Sequence, residues 1–172
     1  MKAGASVVVV MGVSGCGKTT LARSLAEAWP AVFLDADDFH SDEAKVRMAN
    51  GLPLSDAMRQ PCVERIAMEL QSCITRGVNV SLAFSGLRRA HRDRLRATGV
   101  PIRFVFLQGD KAVIASRMAA RSDHYMPVSL LDSQFEALEV PEASEEGVLA
   151  VAVESSPAMQ LQQVLAWVCT DS

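Results

Sequence analysis

Apolar runs alternate with amphipathic segments along the whole chain. Val7–Met11 is a continuous and mostly β-branched run, the pattern of a strand covered on both faces. Val32–Leu34, Asn79–Phe84, Ile102–Leu107 and Val148–Val153 are further strand candidates. The segments between them have helical character. Thr19–Trp29 follows the first strand directly. Ser41 is placed to cap a helix whose first turn carries Asp42 and Glu43 and which Gly51 ends. Pro61 fits a first helical position, and Val63, Ile66, Ala67 and Leu70 keep a helical spacing up to Gly77. Asp110 is expected to cap a helix through Arg121, and Ser129 with Asp132 to open one that runs to Leu138. Pro157 opens the last helix, with Leu161, Val164, Leu165 and Val168 on one face. This alternation predicts a three-layer α/β/α fold with a five-stranded parallel sheet. In such sheets ligands sit beyond the carboxyl ends of the strands.

Composition narrows the function classes. The chain has 172 residues, 49% of them hydrophobic, enough for one domain with a substantial core. A net charge of −3 and 5% aromatic residues argue against nucleic acid as a partner. No apolar run approaches the ~20 residues that cross a bilayer, and no export signal is recognisable, so no membrane partner and a cytoplasmic location are expected. Cys16, Cys62, Cys73 and Cys169 lack CxxC spacing, and His40, His91 and His124 are not spaced with them as zinc ligands.

The chemistry begins after the first strand. Gly12-Val13-Ser14-Gly15-Cys16-Gly17-Lys18-Thr19 matches GxxxxGK[ST] between a strand and a helix, the context that pattern requires. Its glycines let backbone N–H groups turn inward around a polyphosphate, and the helix start adds its positive dipole end. Lys18 is expected at the β- and γ-phosphates and the Thr19 hydroxyl at Mg²⁺, with Thr20 beside them. ATP and Mg²⁺ are the expected cofactors of a P-loop NTPase fold. The second strand then runs into Leu34-Asp35-Ala36-Asp37-Asp38-Phe39-His40. Asp35 and Asp37 alternate, so on an extended backbone they point the same way. Phosphoryl transfer to a hydroxyl needs one carboxylate to support the metal and another to take the hydroxyl's proton. Asp35 is assigned the first task and Asp37 the second.

With these segments in view, the chain resembles the gluconokinase family, small P-loop kinases related in fold to shikimate and nucleoside monophosphate kinases. The resemblance covers most of the sequence: VMGVSGCGKTTLA (Val10–Ala22), FLDADDFH (Phe33–His40), KVRMANGLPLSD (Lys45–Asp56) with Arg59 and Pro61, SGLRRAHRDRLR (Ser85–Arg96), FVFLQG (Phe104–Gly109), RMAARSDHYM (Arg117–Met126) and LLDSQFEALEVP (Leu130–Pro141). It implies transfer of the ATP γ-phosphate to the 6-hydroxyl of D-gluconate, giving 6-phospho-D-gluconate, within a single domain spanning 1–172 with a helical lid near 121–140. It also implies that Asp37, Asp38, His40 and His124 contact the acceptor's hydroxyls, and that Arg47, Arg59 or Arg88 meets its carboxylate. Arg117 is expected along ATP, and Arg121 at the transferring phosphoryl. Ser133, Gln134 and Phe135 are expected to shape the lid. A homodimer is carried by the same resemblance. The chain departs from the family pattern at Ala36, Met58, Cys62, Arg88, His91 and Asp123. Two alternatives stand beside this reading. One is a P-loop kinase for another sugar acid, polyol or shikimate-like acceptor. The other is a nucleotide-binding protein without catalysis, against which the paired Asp35 and Asp37 argue.

Overall fold

The computed structural model describes residues 4–120 and 128–170. Among them, five strands form one sheet: β1 (Val7–Met11), β2 (Val32–Asp35), β3 (Val80–Ala83), β4 (Ile102–Gln108) and β5 (Val148–Ala152). The order is β2-β3-β1-β4-β5, with every neighbour parallel. Helices α1 (Lys18–Ala28), α2 (Asp42–Ala49), α3 (Asp56–Thr75), α4 (Arg89–Arg96), α5 (Lys111–Ala120), α6 (Val128–Ala137) and α7 (Pro157–Thr170) complete it. The three-layer α/β/α expectation holds. None of these helices is long and apolar enough to cross a membrane.

The side chains of β1 alternate between two cores. Val8 and Val10 pack with Leu21, Leu25, Val164 and Val168, the core under α1 and α7. Val7, Val9 and Met11 pack with Val63, Ile66, Leu70 and Leu95, the core under α3 and α4. All five residues of β1 are fully buried, which explains its unbroken apolar pattern. Each such valine contributes about 1.5–3 kcal/mol by leaving water. Among the described strands, β1 is the central one, so the loop that leaves its carboxyl end opens at the middle of the sheet, where the order switches direction.

Two elements differ from expectation. Pro61 lies inside α3, which starts earlier, at Asp56; the cap is Ser55, whose Oγ accepts from Met58 N–H at 3.2 Å. Pro61 is the sixth residue of α3, beyond the N–H groups that a helix start leaves free, so the Ala57 carbonyl forgoes its intrahelical donor. The second is α4, which periodicity did not predict. Its sequence is RAHRDRLR, and the side chain it buries most deeply beside Leu95 is Arg92. Arg92 donates from Nε and Nη2 to the two carboxylate oxygens of Glu145 at 2.7 and 2.9 Å. It also donates to the Gly86 carbonyl at 2.7 Å and the Glu139 carbonyl at 3.0 Å. Arg96 adds a bond to Glu145 at 2.8 Å. This buried latch ties the loop after β3 to the segment after α6. The expected Ser129 cap concerns a side chain outside the described residues.

Candidate active site

The P-loop sits where the architecture requires. Gly12 N–H donates to the Ser85 carbonyl at 3.1 Å, which fastens the loop to the end of β3. Gly17 caps α1 at φ +99° with no side-chain bond, so the first N–H groups of α1 remain available to an anion. Gly15 takes φ +80°, and a Cβ there would meet Met118 Cγ at 2.5 Å. Helix α5 therefore covers the tip of the loop at a distance only glycine permits. Lys18 Nζ donates to the Val13 carbonyl at 3.1 Å, so the ammonium is folded back over the cradle.

The acidic segment is not extended as its alternation suggested. Strand β2 stops at Asp35, and Ala36–Phe39 form a 3-10 turn. Asp35 causes this: its Oδ1 accepts from Asp37 N–H at 2.9 Å and caps the turn. Its other oxygen accepts from the Thr19 hydroxyl at 3.5 Å. Asp35 and Asp37 still line one cleft, now through a turn rather than a pleat. The surrounding protein and then the Asp35 charge push the Asp37 carboxyl above its ordinary 3.8, against the pull of Lys18 and His40. His40 Nε2 lies 3.8 Å from Asp37 Oδ1. Its Nδ1 is buried without a partner among the described residues. Burial holds this imidazole below 6.5, with Arg59 also lowering it, so it is neutral at pH 7.

The far wall comes from α3 and α4. Arg59 is 17% exposed and stands 3.6 Å from Asp56. His91 is buried, and it too is held below 6.5 by burial. The Cys62 thiol donates to the Ala36 carbonyl at 3.5 Å, and burial followed by the Asp37 charge pushes it up to about 11. These groups border a cleft of about 460 Å³ that also receives Ser14, Gly15, Lys18 and Thr19. The two ends of a transfer reaction thus share one space.

The structure sorts the sequence candidates. Lys18, Thr19, Asp35, Asp37, His40 and Arg59 come together around the cleft. Asp38, Thr20 and Arg117 are exposed and do not line it. Arg47 does not line it; its Nη2 donates to the Pro53 carbonyl at 2.9 Å, and its buried Nε has no partner among the described residues. Arg88 lies outside the cleft, 3.3 Å from Asp56. Arg121 and His124 fall outside the described residues. Sequence reasoning missed Ser85 and Gly86 as cleft residues and treated His91 only as a departure. It also placed Gln134 in the lid, whereas Gln134 lines the cleft.

The residue set fits a magnesium ion that arrives with a nucleotide. Thr19 Oγ1 and the Asp35 oxygen facing it are hard donors beside the phosphate cradle, and no cluster of three or more His, Cys, Asp or Glu that could hold a metal occurs among the described residues. Such a site leaves the remaining coordination to phosphates and water.

Known proteins agree with this geometry. The sequence model of the family described as "AAA domain" matches residues 7–141. A gluconokinase of Arabidopsis thaliana is 38% identical, the match covering 92% of this chain and 90% of that protein. The thermosensitive gluconokinase of Escherichia coli is 39% identical over 84% of this chain and 78% of its own length. The crystal structure of a gluconokinase from Sinorhizobium meliloti superposes with a TM-score of 0.88 at 37% identity, covering 98% of this chain and 94% of that one. The P-loop, the acidic turn and the wall contributed by α3 and α4 lie within the matched span, and the chain belongs to the gluconokinase family.

Proposed function

We propose that the protein transfers the γ-phosphate of ATP to the 6-hydroxyl of D-gluconate, with Mg²⁺. The observation that carries this is the single cleft joining the P-loop to Asp37, His40, Arg59 and His91. The amides of Gly15, Gly17, Lys18 and Thr19 and the Lys18 ammonium hold the phosphates and offset their charge as the bond to the leaving oxygen lengthens. Thr19 and Asp35 hold the metal, which when bound adds further charge neutralisation at the phosphates. Asp37 orients the acceptor hydroxyl and takes its proton. The surrounding protein and the Asp35 charge raise its affinity for that proton above an ordinary aspartate's.

The same wall supports gluconate as the acceptor. Of Arg47, Arg59 and Arg88, Arg59 alone lines the cleft, and it is the cation we assign to the gluconate carboxylate. His40 and His91, both neutral at pH 7, suit hydroxyl groups rather than a second charge. Arg121 at the phosphoryl, His124 at the acceptor and a lid near 121–140 complete the proposal on sequence grounds.

The test is ADP release at saturating ATP across a panel of sugar acids and polyols. Gluconate should give the highest kcat/KM, and its aldose counterpart, which lacks the carboxylate, should lose most of it. ATP binding without turnover on any member would overturn the proposal, and a different preferred acid would replace gluconate.

A further inference from the structure

Gln134 belongs to α6, yet its side chain reaches the phosphate cradle. Its Oε1 accepts from the Ser14 backbone N–H at 2.6 Å, a bond between positions 120 apart in the chain. The helix that carries it is well anchored: Leu130 and Leu131 are buried, and Asp132 pairs with Lys111 of α5. The side chain lines the same cleft as Lys18 and Asp37.

The chemistry of a primary amide makes this contact informative. A backbone N–H requires an acceptor, so the carbonyl end of Gln134 is committed to Ser14. The opposite end is an NH₂ group with two N–H donors. A phosphoryl group in transfer is an acceptor on every equatorial oxygen. The N–H groups at the start of α1 suit the inner phosphates, whereas the Lys18 ammonium, expected at the β- and γ-phosphates, folds back to the Val13 carbonyl at 3.1 Å, beside Ser14. A group fixed to Ser14 is therefore suited to the terminal phosphate rather than to the inner ones.

We propose that Gln134 is a catalytic residue whose Nε2 donates to the terminal phosphoryl of ATP, oriented by the bond from Ser14 N–H to its Oε1. The proposal rests on the reading of the cleft as an ATP-dependent kinase site. It gives α6 a direct part in the reaction, beyond covering the nucleotide.

The experiment is calorimetric titration with Mg²⁺ and either ADP or a non-hydrolysable ATP analogue, with kcat measured on gluconate beside it. Two substitutions separate the roles. Gln134→Glu keeps an acceptor for Ser14 but loses the donors; it should bind the analogue at least tenfold more weakly and ADP within twofold of the parent. Gln134→Met removes the donors without adding charge; it should lose about threefold on the analogue, again sparing ADP, with kcat reduced. A mere tether to the P-loop predicts something else: Gln134→Glu close to the parent, and Gln134→Met shifting both ligands together. Equal shifts for both ligands, or none, overturn the proposal, and Gln134→Met alone decides if Gln134→Glu does not fold. If the analogue-selective loss is seen but the parent protein ignores gluconate, the acceptor assignment fails and the role of Gln134 stands.

Discussion

Two clusters of charge in this molecule each contain carboxylate and guanidinium groups and behave oppositely. Around Arg92 and Glu145, every donor and acceptor has a partner within 3.4 Å and both side chains are 1% exposed. Around Asp37, His40 and Arg59, the contacts lengthen to 3.6–3.8 Å and one His40 nitrogen has no partner among the described residues. The first cluster spends its hydrogen-bonding capacity on backbone carbonyls of Gly86 and Glu139 and so holds the cleft's wall in place. The second keeps its capacity free for a ligand. Saturated charge maintains shape, and unsaturated charge is available for chemistry.

Substitution should separate the two clusters cleanly. The largest effect is expected from Asp37→Asn: kcat falls by roughly 10²–10⁴, the range typical of a lost general base. Its melting temperature should hold or rise, because a like charge beside Asp35 is removed; calorimetry against the parent checks this. If Asp37→Asn instead unfolds the protein, the cleft cluster is structural and the contrast fails. The intact protein should also lose kcat/KM on the acid side at a pH above 3.8, since the raised Asp37 carboxyl must be ionised to accept a proton.

Arg92→Met should do the reverse. Leaving Glu145 buried costs about 3 kcal/mol, at the low end for a broken buried pair because Arg96 still reaches it. That corresponds to a drop of roughly 10 °C in Tm for a chain of this size. Arg92→Met combined with Glu145→Leu should recover part of the loss, which a double-mutant cycle reads directly.

An effect of similar size appears in acid. Hydrogen bonds from Arg92, then from Arg96, hold the Glu145 carboxyl at about 2 against an ordinary 4.5. A depressed carboxylate stabilises the fold above its unfolded pKa and loses that contribution as pH falls. Glu145 should therefore give up roughly 3 kcal/mol between about pH 4.5 and 2. Denaturant titrations at several pH values should show a flatter slope for Glu145→Gln across that window. The smallest effect concerns Cys62. With its thiol pushed up to about 11, alkylation at pH 7.5 should be slower than at the exposed Cys169, as mass spectrometry of digests would show.

What the sequence made legible follows from which forces act locally. Val7–Met11 is a mostly β-branched run covered on both faces, and its unbroken apolar pattern goes with its full burial. The P-loop is equally legible because its glycines answer a backbone requirement within eight successive positions. Helix α4 was not, because it turns Arg92 inward and no hydrophobicity pattern registers a buried guanidinium. The turn at Ala36–Phe39 was not legible, because the alternation of Asp35 and Asp37 suggests an extended backbone and the cap from Asp35 competes with it. The choice among Arg47, Arg59 and Arg88 depended on partners such as the Pro53 carbonyl, which spacing does not reveal. Gln134 meets Ser14 only through tertiary structure, with no local signal at either position.

The sheet order has a consequence for how the protein is made. Val7–Met11, the earliest of the described strands in the chain, pairs with residues 80–83 and 102–106. Throughout synthesis of the intervening chain, five consecutive apolar residues have no strand to join and remain a template for wrong partners. Folding therefore waits on the far side of the sequence, and the non-local closure makes it slow. A charge placed in β1 would blunt this exposure and destroy the finished sheet, so the strand's sequence serves the finished core at the expense of the growing chain.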